Sequence, residues 1–233
     1  MIRRILGNLS PYAGGKVISL KLVLGRKDWI AHHGMQRNGT NYLLMCLKKL
    51  GLDTINGTDP QRNDPRHKHY RWYPSKDSIP QFLLPLYGNK ISANSIEQIN
   101  RICSYPQSTP HIVIKKRPEN AVVSIANWGI KCGWFKNKDE AISNLRIIQK
   151  DYNEYYKFWQ EIELKSSNQV IVLEYESVME DSSKLAESLK IIGIKNLPKK
   201  IDLKFDGVRQ SPKNRKKIIT TEDYFNININ LST

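Results

Sequence analysis

The chain is poor in cysteine and has no long apolar run. Cys46, Cys103 and Cys132 are odd in number and widely spaced. That excludes a disulfide framework and a zinc-type cysteine spacing. It points to a reducing, cytoplasmic setting in which the three act as small buried hydrophobes. No stretch of about 18 apolar residues occurs, so no membrane span is expected. Acidic residues are scarce as well: 22 Asp and Glu stand against 37 Lys and Arg, a formal charge of +15. Such a surplus attracts nucleic acid, anionic lipid, acidic glycan or a nucleotide, and by itself does not choose among them. Repeats and low-complexity segments are lacking. The 233 residues suffice for one α/β domain and are too few for two full domains with linkers.

Residues 1–27 carry basic residues between short apolar stretches broken by Lys16, Lys21, Arg26 and Lys27. They make a poor signal peptide. They are expected to form an N-terminal arm, an ordinary loop and strand or a basic contact to a membrane surface. Residues 28–233 form the single domain.

Periodicity outlines the elements. DWIAHH before Gly34 predicts a short buried strand. Tyr42, Leu43, Leu44, Cys46, Leu47 and Leu50 then follow helical spacing up to Gly51. Residues 53–80 are polar and hold four prolines, so a long connection too irregular for the core is expected, with a short strand near RHKHYRWY. HIVIKK predicts a second strand, followed by a helix from Pro118. Ile142, Leu145, Ile148, Tyr152, Tyr155, Trp159 and Ile162 recur at spacings of 3, 3, 4, 3, 4 and 3, predicting one helix over 139–163 with a core-facing stripe. QVIVLEY predicts a third strand, with a helix after it that stops at Gly193. Residues 195–233 read as basic and loop-rich. Strands alternating with helices imply a three-layer α/β/α fold of the P-loop type around a mostly parallel sheet.

GMQRNGTN joins the first strand to the first helix. Gly34 and Gly39 are five apart, as in a Walker A loop, but Thr40 follows Gly39 directly and the motif lysine is missing. The cation lies inside the loop instead, as Arg37. Glycines permit close backbone approach, and a helix N-terminus behind them favours phosphate.

Here the chain resembles the sulfotransferases that use 3′-phosphoadenosine 5′-phosphosulfate. That family carries P-K-S-G-T-T or R-S-G-T before a W/Y-L helix, and this chain has QRNGTNYL. Arg37 stands where the family has Lys, Asn38 where it has Ser, and Asn41 at the second Thr. The resemblance implies that Gly34, Gln36, Arg37, Asn38, Gly39, Thr40 and Asn41 hold the 5′-phosphosulfate end. The change from Lys to Arg alters the geometry of that contact. KRPENAVVS places Lys116 and Ser124 at the family's 3′-phosphate positions, with Arg117 adjacent as an alternative. VIVLEYESVMEDSSKLAESLKIIGI is similar to a later strand and helix of the family, in which Glu174, Tyr175 and Glu176 are architectural. The three matches run in order over about residues 28–194. In VRQSPKNRKK, Arg209, Lys213, Arg215 and Lys216 are candidates for the basic loop that closes on the 3′-phosphate.

Transfer of a sulfuryl group needs a base for the acceptor hydroxyl and a cation near the leaving phosphate. The family's base, His or Glu, lies between the phosphate loop and the 3′-phosphate strand. His69 is the preferred base and His67 the second candidate, with Lys68 as a charge stabiliser; His ionises near neutral pH. His32, His33 and His111 lie on strands and are expected to pack. Asp64, His67 and His69 form a possible metal set, ranked below the base reading, and no metal is expected. The acceptor, a carbohydrate, lipid or other small hydroxyl compound, is expected to meet residues 53–107 and 128–138, where Trp72, Tyr73, Trp128, Trp134 and Phe135 either stack on a sugar or pack. Two rival functions stand beside the transferase: a P-loop kinase with an unusual loop, and a basic nucleic-acid-binding protein. The missing lysine argues against the first. The absence of a recognition motif argues against the second.

Overall fold

The computed structural model describes residues 29–56, 64–75, 91–195, 197 and 218–229. The expected N-terminal arm and Arg209, Lys213, Arg215 and Lys216 lie outside them. Strand β1, Trp29–His33, leads through the glycine loop into helix α1, Thr40–Lys49, and a short β2, Asp53–Thr54. Helix α2, Ile96–Cys103, precedes β3, His111–Lys115. Helices α3, Pro118–Lys131, α4, Lys138–Ser143, and α5, Leu145–Lys165, lead to β4, Val170–Glu174. Then come α6, Tyr175–Glu180, α7, Ser183–Ile191, and α8, Thr221–Ile229.

The four strands form an all-parallel sheet in the order β2-β1-β3-β4. The chain leaves β1 toward β2, then returns across β1 to β3. Parallel crossovers are right-handed, so reversing the direction of travel moves the helices to the opposite face. The core obeys this. Ile30, Ile112 and Ile114 pack with Leu43 and Leu47 of α1 and with Leu185 and Leu189 of α7. Ala31 and Val113 pack on the other face with Ile96, Ile99, Val122, Ile125, Ile148 and Trp159 of α2, α3 and α5. The result is the expected three-layer α/β architecture. The reversal leaves a crevice at the carboxyl ends of β1 and β3, where ligands bind in open α/β sheets.

Several elements differ from expectation. The stripe of residues 142–162 spans two helices, because Asn137 caps α4 and the chain breaks at Asn144 before α5. Two helices follow β4, and α8 forms in the segment read as loop. Most unlike the forecast is the segment 64–73. It forms turns, not a strand, apart from an isolated bridge from Tyr73 to Ser92. It is also core: Tyr70, Arg71 and Trp72 are each 1% exposed. Its backbone is satisfied by turn bonds, His67 N–H to Asp64 C=O and Tyr70 N–H to His67 C=O, both 2.9 Å. The Arg71 guanidinium lies 2.6 Å from the Asp151 carboxylate of α5 and over the Tyr155 ring. A buried, paired arginine anchors this irregular stretch to the helical layer. Among the described residues no helix is long and apolar enough to cross a membrane.

Candidate functional site

Residues 34–39 sit at the crevice. Gly34 runs so close to β3 that a Cβ on it would lie 2.7 Å from the Ile114 carbonyl oxygen and 2.8 Å from Thr40 Cγ2. Gly39 has φ +91° and lies against the Tyr175 ring, where a side chain would collide. Arg37 takes φ +65°, a left-handed conformation uncommon outside glycine. The loop is therefore specified by two close approaches and one sharp turn.

Three anchors hold it. Tyr156 of α5 accepts from Met35 N–H at 3.1 Å and donates to the Ile114 carbonyl at 2.9 Å, clipping loop to strand. Asn38 donates to the Gln36 carbonyl and accepts from Lys116 N–H at 3.1 Å, joining the ends of β1 and β3. Gly34 N–H donates to the Lys68 carbonyl at 3.1 Å, binding the loop to the segment 64–73.

What the loop leaves open is the start of α1. Gly39 has no side chain to cap it, and the first turn, from Thr40, carries no acidic residue. Ser95 caps α2 and Asn137 caps α4, while α3, α5, α6 and α7 share with α1 the lack of a side-chain cap; α1 differs in following the glycine loop at the crevice. The first-turn N–H groups of α1, with the positive end of the helix dipole, thus point to an anion site.

Cations surround that opening. Lys68 Nζ donates to Asn41 Oδ1 at 3.2 Å and is buried. Lys116 Nζ lies 4.9 Å from the centre of the Tyr175 ring, the same ring that packs on Gly39. The Arg37 guanidinium lies 5.0 Å over Trp128 of α3. Burial pulls the Arg37 pKa down from its ordinary value, and the group stays a cation. Ser124 is one helical turn before Trp128, on the same side of α3.

The two candidate bases are distinguished by hydrogen bonding. His69 Nδ1 is 2.7 Å from the Gly34 carbonyl, which can only accept, so the proton is on Nδ1 and Nε2 carries the lone pair. His67 Nδ1 accepts from His69 N–H at 3.1 Å, so neutral His67 has its proton on Nε2. His69 thus offers a base and His67 a donor. Burial first, then the charges of His67, Lys68 and Arg71, pushes the His69 pKa well below the ordinary value; the bond to Gly34 opposes this.

Other candidates fall elsewhere. Arg117 is at the exposed edge, 3.2 Å from the Glu174 carboxylate and 3.9 Å from Glu180, while its N–H donates to Glu176. The Asp64 carboxylate is gripped by Arg66 in a two-pronged pair, its closest contact 2.6 Å. His33 and His111 are buried as a stacked pair, with Nε2 and Nδ1 3.0 Å apart, and His111 Nε2 lies 2.8 Å from Asn100 Oδ1. Their burial drives both pKa values down, that of His111 to about 3. Trp72, Tyr73 and Phe135 are core, whereas Trp128 and Trp134 remain half-buried. Tyr152, Tyr156 and Tyr175 are site residues; the sequence marks Tyr152 as packing and Tyr175 as architectural and does not single out Tyr156. Tyr152 donates to the Lys116 carbonyl. The α5 spacing placed Tyr152 on the inward stripe and left Tyr156 off it; nothing local announced what either hydroxyl reaches.

The chain matches no family model, no curated protein and no solved structure.

Proposed function

We propose that the protein is a P-loop-type sulfotransferase, moving a sulfuryl group from 3′-phosphoadenosine 5′-phosphosulfate to a hydroxyl or amine of a carbohydrate, lipid or small-molecule acceptor. The observation that carries this reading is the uncapped start of α1 at the crevice, with Arg37 and Lys68 beside it and His69, on the segment 64–73, hydrogen-bonded to the loop at Gly34 through Nδ1 so that Nε2 is unprotonated.

The chemistry follows from those groups. The acceptor hydroxyl gives its proton to His69 Nε2 as its oxygen attacks sulfur. The new O–S bond forms in line with the breaking bond from sulfur to the bridging oxygen. That oxygen keeps the bonding pair and leaves on the phosphate of 3′-phosphoadenosine 5′-phosphate. Its growing charge is met by the first-turn N–H groups of α1 and by Arg37. A neutral His69 is required at the outset, and its burial keeps it neutral. The incoming anions raise its proton affinity once the donor is bound. Lys116 and Ser124 are assigned to the 3′-phosphate, and Lys68 to charge balance.

The test is transfer of labelled sulfate from the donor to a panel of sugar, lipid and phenolic acceptors. Transfer to one class that vanishes in Arg37→Ala and in His69→Ala supports the reading. Magnesium-dependent phosphate transfer from ATP, with no sulfate transfer, replaces it with a kinase.

A further inference from the structure

We infer that Trp128 is a positioning residue, an aromatic rest that holds the Arg37 guanidinium while the site is empty and yields it to an arriving oxyanion. The inference deepens the sulfotransferase reading and rests on its assignment of residues 34–41 as an oxyanion cradle.

Four observations meet at this ring. The Arg37 guanidinium lies 5.0 Å over it. Lys131 Nζ lies 5.0 Å from the same ring centre. Neither cation forms an ion pair with a carboxylate among the described residues. Arg37 Nε is buried with no hydrogen-bond partner there. A ring face attracts the charge of a guanidinium but satisfies few of its five donors. An arginine committed to a structural contact is normally tied to a carboxylate or carbonyls, as Arg66 is to Asp64 and Arg71 to Asp151. Arg37 keeps its donors in reserve. Its left-handed backbone sets it in the loop directly before the uncapped helix start. Lys131 on the same ring adds repulsion between like charges, which lowers the cost of moving Arg37 away.

A phosphate or sulfate group entering the cradle offers the fork oxygen acceptors, and charge-assisted pairing with oxyanions outweighs a cation–π contact. The ring therefore stabilises the empty state. Removing the indole should tighten anion binding, whereas removing a side chain that touches the ligand, or that merely shapes the loop, should weaken it. The sign separates the roles.

The experiment titrates the full chain with 3′-phosphoadenosine 5′-phosphate, and separately with inorganic sulfate, by calorimetry. It uses the wild type, Trp128→Phe, Trp128→Leu, Arg37→Ala and the Arg37→Ala/Trp128→Leu double variant. Trp128→Leu should bind the nucleotide about 5-fold tighter, the worth of one cation–π contact, with Trp128→Phe between it and wild type. In the Arg37→Ala background the Trp128→Leu change should have no effect on affinity. Wild-type indole emission should shift on binding, and the shift should be lost in Trp128→Phe. Should Trp128→Leu melt early, the Phe variant carries the test with a gain of about 2-fold. Unchanged or weaker binding in the Trp128 variants overturns the inference, as does an equal effect with and without Arg37. If sulfate produces this pattern and the nucleotide does not bind, the aromatic rest stands and the phosphosulfate reading falls. If neither ligand binds, both fall.

Discussion

The ends of β1 and β3 lie side by side at the crevice, and both carry cations, yet they are built differently. At the β1 end the helix start is uncapped, the first turn holds no acid, and Arg37 rests on Trp128 with no carboxylate partner among the described residues. At the β3 end Arg117 is already answered by Glu174 and Glu180, and its N–H by Glu176. An anion site is marked by donors kept unanswered. Basic residues adjacent in sequence, as in KRP, are not equivalent in this respect. Lys116 turns toward the loop and Tyr175, while Arg117 turns to the acidic edge of β4 and α6.

The largest effect should separate the two histidines. His69→Ala should lower kcat by about 100- to 10,000-fold, the usual contribution of a positioned base, with little change in donor affinity. His67→Ala, which removes a donor and not the base, should cost far less. Equal losses in sulfate-transfer kinetics would contradict the tautomers derived from Gly34 and His69 N–H.

Next comes the contrast between strand ends. Arg37→Ala should weaken donor binding by about 100-fold through loss of charge-assisted bonds, and Lys116→Ala by about 10-fold. Arg117→Ala should change affinity by less than about 2-fold, because an exposed ion pair is worth little and its cation is already engaged. Calorimetry on the three variants checks the ranking. A large loss at Arg117 would mean that its carboxylate partners release it.

The clip between the two ends is testable by stability. Tyr156→Phe removes the hydroxyl that joins Met35 N–H to the Ile114 carbonyl, leaving both buried. It should cost about 1–3 kcal/mol in denaturant unfolding. A loss below about 0.5 kcal/mol would show that the clip is dispensable.

The last effect is read from pH. His33 and His111 are buried neutral, so their folded pKa values lie below the unfolded value of about 6.5. The unfolded chain binds these protons first. Stability is thus fully present above about pH 6.5 and falls as pH drops toward the folded values, by about 1.4 kcal/mol per pH unit for each histidine. For His111 the fall continues to about pH 3. His111→Asn should flatten the slope of urea-unfolding free energy between pH 4 and 6 by about one such increment.

Much of this was legible in the residues. The glycine spacing, the apolar runs and the α5 stripe placed β1, α1, β3, α3 and β4 correctly, because each depends on local periodicity. The loop 34–39 was legible for the same reason. Helix α2 left a signal that went unused: Ser95 before Ile96, Ile99 and Cys103 is a capped amphipathic turn. The segment 64–73 was illegible for a physical reason. RHKHYRWY reads as a short strand in a connection outside the core until Asp151, Tyr155 and Gly34, all distant in sequence, supply its partners. The same holds for Arg117, whose carboxylates arrive from β4 and α6. Nor did spacing show that the Tyr152 and Tyr156 hydroxyls hold the crevice together.

The central claim is that the unanswered donors at the β1 end form the cradle of a phosphosulfate donor. Titration of the wild-type chain and of Arg37→Ala with 3′-phosphoadenosine 5′-phosphate, against ATP with magnesium, tests it most directly. The account predicts micromolar binding of the former by wild type, a loss of about 100-fold in Arg37→Ala, and no preference for ATP. Tight ATP binding with none of 3′-phosphoadenosine 5′-phosphate, or equal affinity with and without Arg37, would contradict it.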